Sequence, residues 1–539
     1  MIDRVLRLGT RRSALARAQS GLMARALERA HPGLRVELVG IDTRGDRILD
    51  QPLSQVEGKE FFTAELDRAL AAGEVDCTVH SCKDLSLERP AALALAAVPA
   101  RENPRDIALF AADAPARLAA GEALRIGSSS PRRVAFMPEF LRPALPGGAA
   151  RIELVELRGN VDSRLRRLRE PRGSARQLDG VILALAGLAR LWQDETGRAL
   201  LGELLAGLPR MVVPLTACPA APAQGALAIE CRTADAATRA LLAVLDHAPT
   251  RAAVAAERAI LAARGGGCHQ RLGATQVAVP GLGALLHLRE TQADGSVAAS
   301  VRWQPEQPLP PRGSVLAVWD GTQAEGGAGM EPLPEAGAQC AAALAAHRAV
   351  FISHRRALPE LMPDASANLS PRLQATAASI WVPGLETWHA LARRGLWVQG
   401  CAEGLGFETL RALLAEPVLQ LPPLREWLVL THADAVAGWQ SPEGPRVLAT
   451  YRHATPPGGA ARAAGAAGGR DAGPSGASHI YWHSAAQFQH WSQGGRTQFA
   501  AGAQHACGFG KTAARLRAAG LSGVTVFPSV REWRDWLAA

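Results

Sequence analysis

Lys83 and Asp84 fall just past the strand-like segment Val75–His80, and Cys268 follows three consecutive glycines, Gly265–Gly267. The first arrangement sets a cation and a carboxylate just past a strand end, where α/β sheets bind ligands. An exposed Lys–Asp pair is ordinarily trivial. In a cleft otherwise lined by cations, a lone carboxylate can stabilise a positively charged intermediate. At about 4 Å and an effective dielectric near 20, such a pair is on the order of 4 kcal/mol, roughly a thousandfold in rate. A thiol on a flexible glycine loop suits a covalent tether; a helix C-cap with a stray cysteine is the bland alternative.

Three further motifs repeat one device. Thr10-Arg11-Arg12-Ser13, Ile126-Gly127-Ser128-Ser129-Ser130-Pro131-Arg132-Arg133 and Leu157-Arg158-Gly159-Asn160-Val161-Asp162-Ser163-Arg164 each read as a strand end, a polar turn and a helix start. Ser13 is placed as an N-cap and Pro131 as a first helical residue. Hydroxyls, backbone N–H groups and arginines at helix starts make anion sites. Each alone is most simply a solvated helix start. Three in one α/β region predict an arginine-lined cleft for several carboxylates or phosphates, which arginine binds as a fork.

The elements that must position these residues alternate strand and helix over the first 230 residues, as in a parallel or mixed α/β sheet. Strands are predicted at Val5–Leu8, Leu34–Gly40, Val75–His80, Leu124–Gly127, Arg151–Leu157 and Gly180–Leu185. Helices are predicted from Ser13, over Phe61–Ala71 and over 251–264, with two strands around Asp294-Gly295. Residues 304–347, rich in Pro, Gly and Ala, read as a linker. Alternation then returns from Ala349, interrupted by the Gly/Ala-rich stretch Pro456–Ser478. The chain of 539 residues is thus two α/β assemblies, too long for one core.

The net charge is +9 and the lysines are Lys59, Lys83 and Lys511, so the basic side is nearly all arginine. These arginines sit at helix starts and not in a stripe interleaved with aromatics, which argues against nucleic acid. The longest apolar stretch, Ala91–Val98, is too short to span a membrane. The N-terminus carries no apolar signal core. Eight cysteines without a CxxC pair read as reduced thiols and not as a zinc site. The expectation is a cytoplasmic enzyme without metal.

In order along the chain stand TRRS, GKEFFTAEL, VHSCKD, NPRD, GSSSPRR, LRGNVDSRL, GVILALAGLARL, AQGALAIECR and AERAILAARGGGC. From about Leu6 to Gly273 this resembles hydroxymethylbilane synthase (porphobilinogen deaminase). The resemblance implies bilobal domains 1 and 2 of the type II periplasmic-binding-protein kind and a small α+β domain 3. Their expected bounds are 1–100 (completed by about 220–246), 101–219 and 247–310, followed by a linker over 311–347. It also implies a dipyrromethane cofactor in thioether linkage to Cys268, with porphobilinogen as substrate and hydroxymethylbilane as product. Asp84 would be the catalytic carboxylate. Lys83, Ser128, Ser129, Ser130, Arg132, Arg133, Arg158 and Arg164 would hold the cofactor, and Arg11, Ser13, Lys59 and Phe62 the substrate. Ala223 stands where that family often has Gly.

Residues 348–539 resemble uroporphyrinogen-III synthase in the order of their patterns. These are Val350-Phe351-Ile352-Ser353-His354-Arg355-Arg356, Val382-Pro383-Gly384-Leu385-Glu386-Thr387, VLATYRHAT, IYWHSAA and CGFGKTAA. The implied fold is a two-lobed α/β region, with Ser353, Thr387, Ser484 and Thr512 at substrate-binding turns and Tyr451 as the best single catalytic candidate. Its first strand is not recognisable before Ala349; Val315–Trp319 is one source. Two alternatives stay open: a deaminase with an inactive or structural C-terminal domain, and a bilobal anion-binding protein.

Overall fold

The computed structural model describes residues 4–43, 63–267, 270–321, 330–358, 379–439, 441, 443–453, 474–492, 499–500, 502–521 and 523–539. Lys59, Phe62 and Cys268, and most of the Pro456–Ser478 stretch, lie outside the described residues. The fold is mixed α/β and multidomain. It divides into one unit of Met1–Val277, Leu286–Arg302 and Glu416–Leu419 and a second of Ala278–Leu285, Trp303–Ala415 and Gln420–Ala539.

The first unit holds two five-stranded sheets. One runs Leu34–Ile41, Arg4–Arg11, Cys77–Ser81, Leu227–Arg232, Leu93–Ala97 in spatial order. Leu6, Leu8, Leu27, Val79 and Ile229 fill its core. The strand Leu227–Arg232 returns antiparallel between two strands far earlier in the chain. The other runs Ile152–Val155, Leu124–Gly127, Gly180–Ala184, Asp106–Phe110, Arg210–Val212. Every residue of Asp106–Phe110 is buried, so this strand reads as an apolar run without alternation.

Local chemistry sets the helix starts. Ser13 Oγ accepts from the N–H of Ala16 at 3.4 Å and opens the helix Ala14–Ala30. Ser130 Oγ accepts from the N–H of Arg133 at 3.5 Å, with Pro131 first in the helix Pro131–Ala144. Gly127 is required by space: a Cβ there would stand 2.6 Å from Leu178 Cδ1 and 2.7 Å from Leu157 Cδ2. Ala223, with φ 63°, occupies the left-handed region. That costs a non-glycine residue about 1–2 kcal/mol and gives a reason for glycine at this place.

A three-stranded sheet takes Leu272–Val279, Gly283–Thr291 and Val297–Pro305, the last two joined across Asp294-Gly295. In the second unit, six strands run Met330–Pro332, Arg446–His453, Trp427–His432, Ala349–Ile352, Ser379–Val382, Val398–Cys401. Four more run Val318–Trp319, His479–Trp482, Gln504–Gly508, Thr525–Phe527. Within the expected linker over 311–347 lie a short strand, inside the Val315–Trp319 segment offered above, and a helix. Val318–Trp319 pairs in parallel with His479 and Ile480, and the helix Ala336–Ala346 buries Cys340 and Leu344. Alanine favours helix and short apolar pairs complete sheets, which outweighs the Pro/Gly composition.

Candidate active site

The strand Cys77–Ser81 pairs with both Arg4–Arg11 and Leu227–Arg232 and ends in a 3₁₀ turn, Cys82–Asp84. That turn puts Lys83 and Asp84 at the strand's carboxyl end. Asp84 is exposed and Lys83 half-buried. Desolvation lowers the Lys83 pKa; the Asp84 carboxylate opposes this, and the charge of Arg133 adds to it. Both line a cleft together with Arg11, Ser13, Arg190 and Gln224.

The arginines divide into two groups. Arg164 is lowered to about 10 by burial and by the charges of Arg133 and Arg158, with Asp84 opposing. These groups therefore share one neighbourhood with the Asp84 turn. Arg164 Nε donates to Gly159 O at 2.7 Å. Arg158 is half-buried, and its Nη2 has no hydrogen-bond partner among the described residues.

Arg132 and Arg133 form the second group. They are 2% and 6% exposed, and their Nη2 atoms lie 2.7 Å from Asp106 Oδ2 and Oδ1 respectively. Arg132 also donates to Pro219 O and Arg133 to Ile182 O, each at 2.8 Å. Burial would raise the Asp106 carboxyl, but the two guanidinium charges outweigh it and hold it well below the usual carboxylate range. Arg132 and Arg133 thus share the single carboxylate of Asp106 inside the fold. Ser128 is buried and its Oγ accepts from the N–H of Ser130 at 3.3 Å. Ser129 and Ser130 are half-buried.

Two features escaped the sequence reading. Arg190, 3% exposed, lines the cleft, donates from Nη2 to Gly225 O at 2.5 Å, and is lowered to about 10 by burial. It lies in a largely apolar helix, Leu185–Gln193, where an arginine among apolar neighbours is the available signal. Asp67, His80 and Glu230 converge beneath the cleft, with ligand atoms within 4.8 Å of one another. Arg89 joins them, its Nη2 2.6 Å from Asp67 Oδ1 and 2.7 Å from Glu230 Oε2.

In the second unit Ser353 follows the strand Ala349–Ile352 and Tyr451 lies near the end of Arg446–His453, with Trp427–His432 between these two strands. The Tyr451 ring lies between His354 and His432, at 6.1 and 5.8 Å between centroids. Tyr451 is 5% exposed, and burial pushes its hydroxyl up to about 12. Thr387 lies in the first turn of the helix Leu385–Ala392 and is buried. Ser484 Oγ accepts from the N–H of Gln487 at 3.1 Å as a helix cap. Thr512 opens the helix Lys511–Ala518, where Lys511 Nζ lies 3.5 Å from the centre of the Trp439 ring.

The first unit is that of an anion-binding α/β enzyme, with the exposed Asp84 carboxylate in its cleft beside Lys83 and Arg11. The sequence profile described as "Porphobilinogen deaminase, dipyromethane cofactor binding domain" matches residues 6–240. The chain is 45% identical over 278 residues to the porphobilinogen deaminase of Acidothermus cellulolyticus, covering 51% of this chain and 75% of that protein. It is 43% identical over 269 residues to that of Roseiflexus castenholzii, covering 50% and 80%. It is also 43% identical over 308 residues to porphobilinogen deaminase 1 of Streptomyces avermitilis, covering 56% and 83%. Among solved structures, full-length BenM is similar at 14% identity over 50% of this chain and 71% of that one, with a TM-score of 0.26. The chain belongs to the porphobilinogen deaminase family, and its cofactor is dipyrromethane. The cleft fits that group. Each pyrrole carries two carboxylates, and the Asp84 turn is bordered by Arg158, whose Nη2 has no hydrogen-bond partner among the described residues, and by the cation-crowded Arg164.

Proposed function

We propose that the first unit joins four porphobilinogens head to tail into hydroxymethylbilane with release of four ammonia molecules. The observation that carries this is Asp84, an exposed carboxylate on a turn whose other neighbours are Lys83, Arg133 and Arg164. Bound through Cys268, dipyrromethane would supply the pyrrole end from which the chain grows. Arg11, Arg158, Arg164, Arg190, Lys83 and Ser13 would bind acetate and propionate groups. Arg132 and Arg133 would hold Asp106 and so fix the helix Pro131–Ala144 in place. When the C–N bond of porphobilinogen breaks, its electron pair leaves with ammonia and the ring is left electron-poor. The Asp84 carboxylate stabilises that positive charge without covalently capturing it.

We also propose that residues 348–539 close hydroxymethylbilane to uroporphyrinogen III with inversion of the last ring. Supporting this reading are the parallel pairings of Ala349–Ile352, Ser379–Val382, Val398–Cys401 and Trp427–His432 and of His479–Trp482, Gln504–Gly508 and Thr525–Phe527, and the Tyr451 ring close to the His354 and His432 imidazoles.

The experiment is intact mass together with product analysis of the full chain. Wild type should exceed its sequence mass by two pyrrole units, and Cys268→Ser should not. Asp84→Ala should remain loaded while turnover falls by on the order of a thousandfold. A bare wild-type mass with full activity would overturn the tether, and near-normal turnover of Asp84→Ala would overturn the carboxylate's role.

A further inference from the structure

We propose that Arg258 is a positioning residue for the deamination site, clamping the turn that carries Lys83 and Asp84 to the helix that leads into the glycine loop. Arg258 lies on the helix Ala248–Ala262. Its Nη1 donates to Cys82 O at 3.1 Å and to Leu85 O at 3.0 Å, and its Nη2 donates to Ser86 O at 2.7 Å. One guanidinium thus binds three carbonyls that bracket Asp84. These are carbonyls at the end of a 3₁₀ turn, where helical partners run out and positive charge is favoured.

A second contact joins the same two segments. Gly266, with φ 68°, packs on the Leu87 side chain so closely that a Cβ would stand 2.9 Å from Leu87 Cδ1. The residues just after Asp84 therefore touch both the helix and the glycine loop that follows it. From the other side, Arg89 ties the same stretch to Glu230 and Asp67. Asp84 is exposed on a turn whose backbone is fixed at both ends. Its turn is held in register with the loop before Cys268 by the Arg258 bonds to main-chain carbonyls and by the Leu87 contact with Gly266. The fork matters, because lysine has one nitrogen and cannot reach three carbonyls in this way.

The inference rests on Asp84 being the charge-stabilising carboxylate, so its test separates the two. In the full-length chain, Arg258→Gln and Arg258→Lys are compared with wild type by hydrogen–deuterium exchange, intact mass and steady-state kinetics, each also in an Asp84→Ala background. Exchange over residues 82–87 should speed up while the covalent mass is retained. kcat should fall roughly tenfold to a hundredfold, with KM within about twofold and Lys between Gln and wild type. In the Asp84→Ala background, loss of Arg258 should cause no further fall, since the group it positions is gone. Unchanged exchange over 82–87, or an equal fold loss in both backgrounds, overturns the proposal. If Arg258→Gln fails to fold, Arg258→Lys decides by the same criteria. If Asp84→Ala alone keeps wild-type turnover, the Asp84 reading fails, and exchange still decides whether Arg258 holds the turn.

Discussion

Arg101 and Glu257, 156 residues apart, meet as a fork: Nη1 lies 2.6 Å from Oε1 and Nη2 2.9 Å from Oε2. Glu257 is fully buried, and its oxygens also accept from the N–H groups of Ala223 at 2.6 Å and Gln276 at 2.7 Å. Arg101 Nε donates to Gln224 O at 2.8 Å. The pair thus joins the crossing between the two five-stranded sheets, the returning segment and the helix Ala248–Ala262. Removing one charge leaves the other buried and uncompensated, so Glu257→Gln should destabilise the first unit by about 3–5 kcal/mol. Urea denaturation of the full chain measures this; a shift below about 1 kcal/mol would place the pair among the unimportant ones.

His80 gives a pH prediction. Burial lowers its pKa from 6.5 to about 4, while the unfolded chain keeps the ordinary value. Below pH 6.5 the unfolded chain binds a proton that the folded chain refuses. The contribution is therefore full above about pH 6.5 and is lost as pH falls towards 4, by roughly 3 kcal/mol in all. His80→Gln should flatten the stability–pH slope in that window. Equal slopes for both proteins would show that His80 does not titrate this way.

Much of this site was legible because its signals are local. The strand-like segment before Lys83-Asp84, and Ser130 followed by Pro131, specify strand ends and helix starts within a few residues. What was hidden depends on long-range partners. Arg132 and Arg158 sit in the same kind of motif, yet only Arg132 meets Asp106, which comes from a different strand of the sheet. Arg190 is masked by the apolar pattern of its own helix. The placement of Leu227–Arg232 inside the first sheet has no local signal and was expected only from the family resemblance, which completes the first domain with about 220–246; Val318–Trp319 falls inside the Val315–Trp319 segment offered as a strand, although two residues are too few to show periodicity.

Arg158 separates field from fork. Among the described residues its Nη2 has no hydrogen-bond partner, and Glu156 Oε1 lies 3.5 Å from Nε. If it grips a substrate or cofactor carboxylate, Arg158→Lys keeps the charge but loses bidentate geometry. kcat/KM for porphobilinogen should then fall by about tenfold or more, corresponding to roughly 1.4 kcal/mol. Wild-type kinetics for the lysine variant would reduce Arg158 to a contributor of general positive potential.

The second unit is tested by a substitution that removes one oxygen. Tyr451→Phe keeps the buried ring and its contacts with His354 and His432 but deletes the phenol. The side chain is 5% exposed, so the variant should fold with little change in volume. Because Tyr451 and Asp84 belong to separate units, porphobilinogen consumption should be unchanged. If residues 348–539 close the linear product, wild type should give mainly the type III isomer from porphobilinogen, and Tyr451→Phe should shift the product towards type I. Chromatography of the oxidised products reads the ratio directly. Type I from wild type and variant alike would mean that this half does not catalyse the closure, and would favour the deaminase with a non-catalytic C-terminal domain. Type III from both would keep the synthase and remove Tyr451 from its chemistry.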